Sequence, residues 1–138
     1  FSLLDAGEKI WQNQIVPRAG RQKTKKGRGG MAKLERALQE NFDGLLARIE
    51  QGILEGSVSA SLEASSDFSE GGARCSVRVF ERYSYAGGNR LSMSVTLFQS
   101  GGGPVHLSAI TAGGSQALLF KINTWGEEAF LDKLRELL

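Results

Sequence analysis

The chain has 138 residues, enough for one domain, and its 41% hydrophobic and 23% charged content is ordinary for a globular protein. It contains no run of about 18 apolar residues, which excludes a membrane-spanning helix, and its single cysteine excludes an internal disulfide and favours a reducing cytoplasm. The net charge of +2 is uneven: residues 1–30 hold seven basic and two acidic side chains, and the remainder holds ten basic and thirteen acidic, so overall charge gives no argument that the main body binds nucleic acid.

Residues 1–30 are predicted to be a basic leader that does not fold by itself. The segment "RQKTKKGRGG" (21–30) has no apolar side chain and several like charges, so it cannot bury enough surface to become ordered. Three interpretations fit it: a linker from an upstream domain, a tail that binds polyanions, or untranslated sequence read through in frame. We favour the third, because "KKGRGGM" fits a purine-rich ribosome-binding stretch followed by a start codon at Met31.

The folded part is expected to be one domain, 31–138, that begins with a strand and a helix. Residues 33–54 consist largely of good helix formers, but "ENFDG" interrupts them with residue types that start or weaken helices. We predict a strand at 33–39 and a helix at 42–54 that ends at Gly56. A single long helix over 33–54 is the alternative.

The middle of the chain alternates between apolar and polar residues, as strands do. We predict strands at 57–64, 74–85 and 90–99, with a loop at 65–72. In the strand at 90–99 the side chains expected to be buried are Leu91, Met93, Val95 and Leu97. In the strand at 74–85 we expect Cys75, Val77 and Val79 to be buried, and Arg74, Arg78, Phe80 and Arg82 to face solvent.

The turn "AGGN" determines how these last two strands pair. A three-residue loop at Ala86–Gly88 would pair Val79 with Val95 and Val77 with Leu97, which makes one face uniformly apolar, as burial requires. The last glycine of that loop can adopt the positive φ that such turns need. A two-residue loop at the two glycines would instead place apolar residues opposite polar ones. We therefore predict the register of the three-residue loop.

Two further strands and a helix are predicted to complete the chain. The strand "VHLSAIT" (105–111) places Val105, Leu107 and Ala109 on one side, and "ALLFKIN" (117–123) is nearly continuous in apolar residues, as a well-covered strand would be. The stretch "TWGEEAFLDKLRELL" (124–138) predicts a helix, because Thr124 and Glu127 form a capping box at its start.

These elements predict an α+β domain in the order β-α-β-β-β-β-β-α. Consecutive hairpins form an antiparallel sheet of five to six strands, which can bury one face, and two amphipathic helices packed on that face are enough to cover it. The arrangement is similar to a helix-grip fold, in which a curved sheet wraps a long C-terminal helix. Such an analogy transfers no function.

Three stretches of the chain carry a resemblance to a known family. They are "GSVSASLEASSDF", "VRVFERYSYAGGNRLSMSVTL" and "SAITAGGSQALLFKINTWGEEAFLDKLREL". Together they resemble a small family of bacterial proteins of unknown function, and the resemblance covers residues 31–138 but not 1–30. Because that family has no assigned activity, the resemblance implies a bacterial protein and brings no catalytic residues.

No group of side chains points to catalysis or to a metal ion. The single histidine, His106, lies in the middle of a predicted strand, and Cys75 lies on the face predicted to be buried, where a small inert thiol is usual. One histidine and one cysteine cannot form a structural zinc site. The carboxylates Glu63, Asp67 and Glu70 match no calcium loop. We therefore expect no enzymatic activity, no catalytic residue, no metal and no cofactor.

The candidate binding site is the polar side of the predicted hairpin of residues 74–85 and 90–99. Arginine can hold an anion through two hydrogen bonds, and an aromatic ring between arginines can stack on a ligand. The glycine stretch "TAGGSQ" (111–116) is interpreted as a hairpin turn, because phosphate-binding loops lead into a helix. The candidate ligand-binding residues are Arg78, Arg82, Phe80, Ser92 and Ser94, with Ser115 at the glycine turn.

The sequence favours a non-catalytic binding domain of the bacterial cytoplasm for an unknown small ligand or protein partner. We expect the ligand in the groove between the sheet and the C-terminal helix or on the arginine-bearing face. One alternative is a homo-oligomeric interaction module, such as a homodimer formed through the sheet. Another is RNA or phosphate binding through the arginine-rich face, which the acidic balance of the body disfavours. We expect no membrane association.

Overall fold

Five antiparallel strands form one sheet, and two helices cover one of its faces, in the computed structural model, which describes residues 31–83, 90–113 and 120–138. In chain order the elements are β1 (Ala32–Leu38), α1 (Phe42–Gly56), β2 (Ser61–Glu70), β3 (Ala73–Tyr83), β4 (Arg90–Ser100), β5 (Val105–Gly113) and α2 (Phe120–Arg135). The strand order across the sheet is β1-β5-β4-β3-β2. The predicted α+β class and the placement of both helices on one face are confirmed. The predicted leader, 1–30, lies outside the described residues.

The strand and helix predicted after Met31 are both present. Asn41 caps α1: its side-chain oxygen accepts a hydrogen bond of 2.9 Å from the backbone N–H of Gly44. Asp43 lies in the first turn, where a negative charge suits the positive end of the helix dipole. Since the chain before this cap is extended and pairs with β5, the alternative of a single long helix is wrong.

The core lies between the helices and the side of the sheet that we call the inner face. As predicted, alternate residues of β4 and β5 are buried there. The sheet contributes Leu91, Met93, Val95, Leu97, Val105, Leu107 and Ala109, and the helices contribute Phe42, Leu45, Ile49, Ile53, Phe130, Leu131 and Leu134. These side chains fill the space between sheet and helices.

The strand β2 differs from the prediction in its position along the chain. It spans Ser61–Glu70, so the segment predicted as a loop is mostly strand, and Val58, which belongs to the predicted strand 57–64, lies outside β2 and is 99% exposed. Gly71 and Gly72 both adopt positive φ, 57° and 80°, and join β2 to β3 in a tight hairpin. Because two residues are enough for this turn, the strand continues up to the glycines.

The segment predicted as a last strand is helical where it is described. Residues 120–123 belong to α2, and 117–119 lie outside the described residues. Thr124 therefore lies inside the helix, and the predicted capping box does not start it. A short apolar run has no periodicity that separates a strand from a buried helix, which explains the error.

The predicted register between β3 and β4 is wrong by one residue. Val79 lies opposite Ser94, Val77 opposite Thr96, and Phe80 opposite Met93. The turn itself, 84–89, lies outside the described residues. Because successive side chains point to opposite faces, a slip of one residue exchanges the faces of the whole strand. The valines of β3 consequently lie on the side of the sheet without helices, which we call the open face.

Candidate functional site

The inner face of β3 carries arginine side chains that point toward the helices. Arg78 is only 7% exposed, and its guanidinium contacts two carboxylates from different elements. Its Nε donates to Glu50 of α1, and its Nη1 donates to Asp67 of β2 over 3.0 Å. Nη1 also lies 3.0 Å from the carbonyl oxygen of Val77. The charge of this buried arginine is thus balanced inside the protein.

Hydrogen bonding keeps this cluster ionised. The Ser76 hydroxyl donates to Asp67 over 2.6 Å, and this bond, followed by those from Arg78, lowers the pKa of the Asp67 carboxyl below its usual value. Burial alone would lower the pKa of Arg78, but its hydrogen bonds to Glu50 and Asp67 outweigh burial and raise it. The cluster therefore pairs one buried guanidinium with two carboxylates.

Two further arginines of β3 contact the helix layer. The Arg74 guanidinium lies 3.9 Å from the ring centre of Phe42 and donates to Asp43 over 2.7 Å, at the start of α1. This hydrogen bond lowers the pKa of Asp43. The Arg82 guanidinium lies 4.5 Å from the ring centre of Phe130 in α2. The prediction that the arginines of β3 form a solvent-facing, cationic layer is therefore wrong.

The structure does not bring the predicted site residues together. Arg78, Arg82 and Phe80 lie on the inner face, where Phe80 is fully buried opposite Met93. Ser92 and Ser94 lie on the open face. Ser115 lies outside the described residues. The arginines that were expected to hold an anion already have carboxylate or aromatic partners within the protein.

The open face contains a continuous row of side chains across four strands. Phe68 of β2 lies opposite Cys75 of β3, which lies opposite Phe98 of β4, which in turn lies opposite His106 of β5. Residues that face one another in this way pack side by side on the same face of the sheet. The large or apolar members of the open face in the described strands include Phe68, Cys75, Val77, Val79, Tyr83, Phe98 and Ile110.

These side chains are accessible to solvent. Phe68 is 65% exposed, Phe98 41% and Ile110 42%, and the valines of β3 between them are half-buried. Ser94, Thr96 and Ser108 separate the apolar groups with hydroxyls. Large apolar side chains grouped on one exposed surface mark sites where proteins bind one another.

The charged side chains of the open face lie toward its margins and pair with each other. Lys33 and Glu35 form an ion pair of 2.6 Å on β1, and Arg90 donates to Glu81 near the connection between β3 and β4. A further carboxylate, Glu70, lies beside the glycine turn. In the described strands, the part of the open face between these margins therefore carries apolar and hydroxyl-bearing side chains together with His106.

Sequence reasoning missed the open face for two reasons. It assigned Phe68 to a loop and placed the valines of β3 in the core. The available signal was Phe98, a large aromatic residue that alternates with the four buried residues of β4 and must therefore lie on the opposite side. Its position shows, from β4 alone, that a large aromatic side chain lies on the face opposite the core.

Within the described ranges, the structure offers neither a metal site nor a membrane span. No three His, Cys, Asp or Glu side chains in this part of the chain are grouped so that they could hold a metal ion. Neither of the helices described in it is long and apolar enough to cross a membrane.

Comparisons with known proteins identify the family of the chain. No curated protein matches the chain. The crystal structure of PA94, a protein of unknown function from Pseudomonas aeruginosa, is similar to it at 12% sequence identity and a TM-score of 0.48, over 83% of this chain and 84% of that one. At this level the likeness carries no argument about function. The model of a family of unknown function, DUF6054, matches residues 31–138, as the resemblance of the three stretches predicted, and the chain belongs to that family.

Proposed function

We propose that the chain contains a non-catalytic protein-binding domain and that the open face is its binding surface. The observation that supports this proposal is the row of exposed aromatic side chains, Phe68 and Phe98, on an uncharged part of a regular sheet. Burial of such side chains against a partner removes apolar surface from water at about 25 cal/mol per Å². Aromatic residues are also enriched in the cores of protein interfaces.

A protein is a better candidate than a small ligand for this domain. Small-ligand sites are concave, and the groove expected between the sheet and α2 is filled in its described part by Phe130, Leu131 and Leu134, all at most 1% exposed. The open face instead extends over several strands. It suits a partner that contacts many side chains at once.

RNA or phosphate binding has little support from the charges. Arg74 and Arg78 point away from the open face and pair with carboxylates of the same chain. The cations on the open face, Lys33 and Arg90, each have a carboxylate partner. Binding of a polyanion would require these ion pairs to break before counterions could be released from the nucleic acid.

A photo-crosslinking experiment can test the proposed surface. Cys75 is the chain's single cysteine and lies on the open face between Phe68 and Phe98, so a thiol-reactive photo-crosslinker can be attached there without a mutation. The control is a Cys75→Ser/Ala47→Cys variant, which carries the same probe on the exposed side of α1. Both proteins would be irradiated in extracts of the source cells and their adducts identified by mass spectrometry.

The proposal predicts one defined protein adduct from the Cys75 probe and none from the Ala47→Cys probe. Excess unlabelled wild-type protein should change this adduct, either by competing for a different protein or by becoming the crosslinked partner itself. Excess of a Phe98→Asp/Ile110→Asp variant should not, because carboxylates on the open face would be buried without partners on binding. Equal, diffuse adducts from both probe positions would contradict the proposal.

A further inference from the structure

We infer that the protein partner of the open face is a second copy of this chain, bound open face to open face in a two-fold symmetric dimer. This inference rests on the proposed function, because it names the partner of the same surface. Closed two-fold dimers are the commonest oligomers of soluble proteins, and their interface uses the same surface patch on both subunits. The open face has the size, charge balance and composition that such a self-complementary contact needs.

The area of the open face matches that of a stable interface. The sheet has five strands, and β5 has nine residues. At about 4.8 Å between strands and about 3.3 Å per residue, the face covers roughly 24 by 30 Å, on the order of 700 Å². A standard interface buries about 800 Å² on each partner. Two copies packed with their sheets about 10 Å apart would bury nearly the whole face, as the two sheets of a β-sandwich do.

The charges of the open face favour an identical partner. Lys33 with Glu35, and Arg90 with Glu81, form ion pairs within one chain, so these groups contribute no net charge. Two further carboxylates lie on the edge strand β2: Glu70 beside the glycine turn, and Glu63, which accepts a hydrogen bond from the Ser61 hydroxyl at the β-bulge. Because the unpaired charges lie at the margin, they do not oppose contact between the apolar parts of two identical faces.

The composition of the open face resembles half of a sandwich core. Phe98 lies on the central strand β4, and Val77 and Val79 lie on its neighbour β3. The hydroxyl-bearing Thr96 and Ser94 lie opposite these two valines. Homodimer interfaces are more apolar than interfaces that form and dissociate, and charged residues are depleted at their centres. The centre of the open face follows this pattern.

The mass and the thiol accessibility of the full chain in solution test the inference. Sedimentation equilibrium over a wide concentration range would give the mass, and the rate at which a maleimide labels Cys75 would report on the face directly. The variants are Phe98→Asp and, in case it does not fold, Phe98→Ser. Val58→Asp is the control, since Val58 is exposed, apolar and outside the described sheet. Circular dichroism would check that each variant is folded.

The inference predicts a dimer whose Cys75 is labelled more slowly as protein concentration rises. Loss of an aromatic anchor from an interface typically costs 2 kcal/mol or more, so Phe98→Asp should raise the dissociation constant by about 30-fold or more. Val58→Asp should leave it unchanged. A wild-type protein that stays monomeric at all concentrations would overturn the inference. So would a dimer that remains intact in Phe98→Asp and Phe98→Ser and whose Cys75 is still freely labelled. A defined photo-adduct with a different protein would overturn it while leaving the proposed function standing.

Discussion

The guanidinium of Arg78 on β3 and the carboxylate of Glu50 on α1 are directly hydrogen-bonded beneath the helix layer. This ion pair joins a strand to a helix that is 28 residues distant in the sequence. With Asp67 on the other side of the guanidinium, it also joins the edge strand β2 to the same point. One arginine thus connects three elements, and two carboxylates lie within ion-pair distance of its guanidinium.

Arg78→Met should destabilise the domain, because it leaves Glu50 and Asp67 without their cation. Breaking a buried ion pair costs about 3–5 kcal/mol, but both carboxylates here are partly exposed and can regain water. We expect a loss of about 1–3 kcal/mol in the free energy of unfolding, measured by urea denaturation.

Arg36→Met is the matched control for this change. Arg36 is exposed on β1 and donates to the backbone carbonyl of Glu35, so its replacement should change stability by less than about 0.5 kcal/mol. The double variant Arg78→Met/Glu50→Gln should be more stable than the sum of the two single losses implies. Strict additivity would show that Arg78 and Glu50 are not energetically coupled.

Phe80→Ala and Phe68→Ala should differ strongly in their effect, although both remove a phenylalanine from neighbouring strands. Phe80 is fully buried, so its truncation leaves a cavity and should cost about 3–5 kcal/mol. Phe68 is 65% exposed on the open face of one chain, and its truncation should lower the free energy of unfolding of the monomer by less than about 1 kcal/mol. Thermal or urea unfolding of the two variants measures the difference. Similar losses would contradict the assignment of the two faces.

The strands β4 and β5 could be predicted from the sequence because their patterns are unambiguous. Leu91, Met93, Val95 and Leu97 alternate with smaller or polar residues, and only one assignment buries them all. The cap at Asn41 likewise separated β1 from α1. In these elements local preference and tertiary burial point to the same structure.

The faces of β3, and with them the candidate site, could not be predicted in this way. Val77 and Val79 alternate with Arg78 and Phe80, so each face of the strand carries apolar atoms. The deciding contacts come from Glu50 and Asp67, which are distant in sequence and neutralise a buried arginine. The long aliphatic part of arginine can pack in a core once its charge is balanced. No local pattern contains that information.

Gly52→Ala should destabilise the domain despite the higher helix propensity of alanine. A Cβ atom at Gly52 would lie only 2.6 Å from Cδ1 of Leu137, which packs against the core from the C-terminal end of the chain. Overpacking of this kind costs about 1–3 kcal/mol, which exceeds the gain of about 0.5–1 kcal/mol from replacing glycine in a helix. We expect a net loss of about 1 kcal/mol in urea denaturation.

The effect of Gly52→Ala on stability should change from a loss to a gain when Leu137 is truncated. In a Leu137→Ala background the overlapping methyl groups are gone, so Gly52→Ala should stabilise the protein by about 0.5–1 kcal/mol. Gly56→Ala is the control in the same helix, since a Cβ there would lie 3.8 Å from Lys133 at ordinary contact distance. Destabilisation by Gly52→Ala in both backgrounds would contradict the close packing of α1 against Leu137.

Acidification should lower the stability that the ionised carboxylate of Asp67 gives to the fold. Comparison with Asp67→Asn should show the size of this contribution. The pKa of Asp67 is lowered from 3.8 by hydrogen bonds from Ser76 and Arg78. A carboxyl group with a lowered native pKa stabilises the folded state fully above its unfolded pKa, and this stabilisation is lost as pH falls through the native value. Wild type should therefore be more stable than Asp67→Asn near neutral pH, and the gap should close as pH falls below 3.8. Urea midpoints of both proteins from about pH 7 to about pH 2 measure this.

The Ser76→Ala background removes the strongest of the hydrogen bonds to Asp67. In this background the loss of stability caused by Asp67→Asn at neutral pH should be smaller, because the native pKa of Asp67 rises toward its usual value. A gap that stays constant over the whole range would mean that the ionised carboxylate of Asp67 does not stabilise the fold.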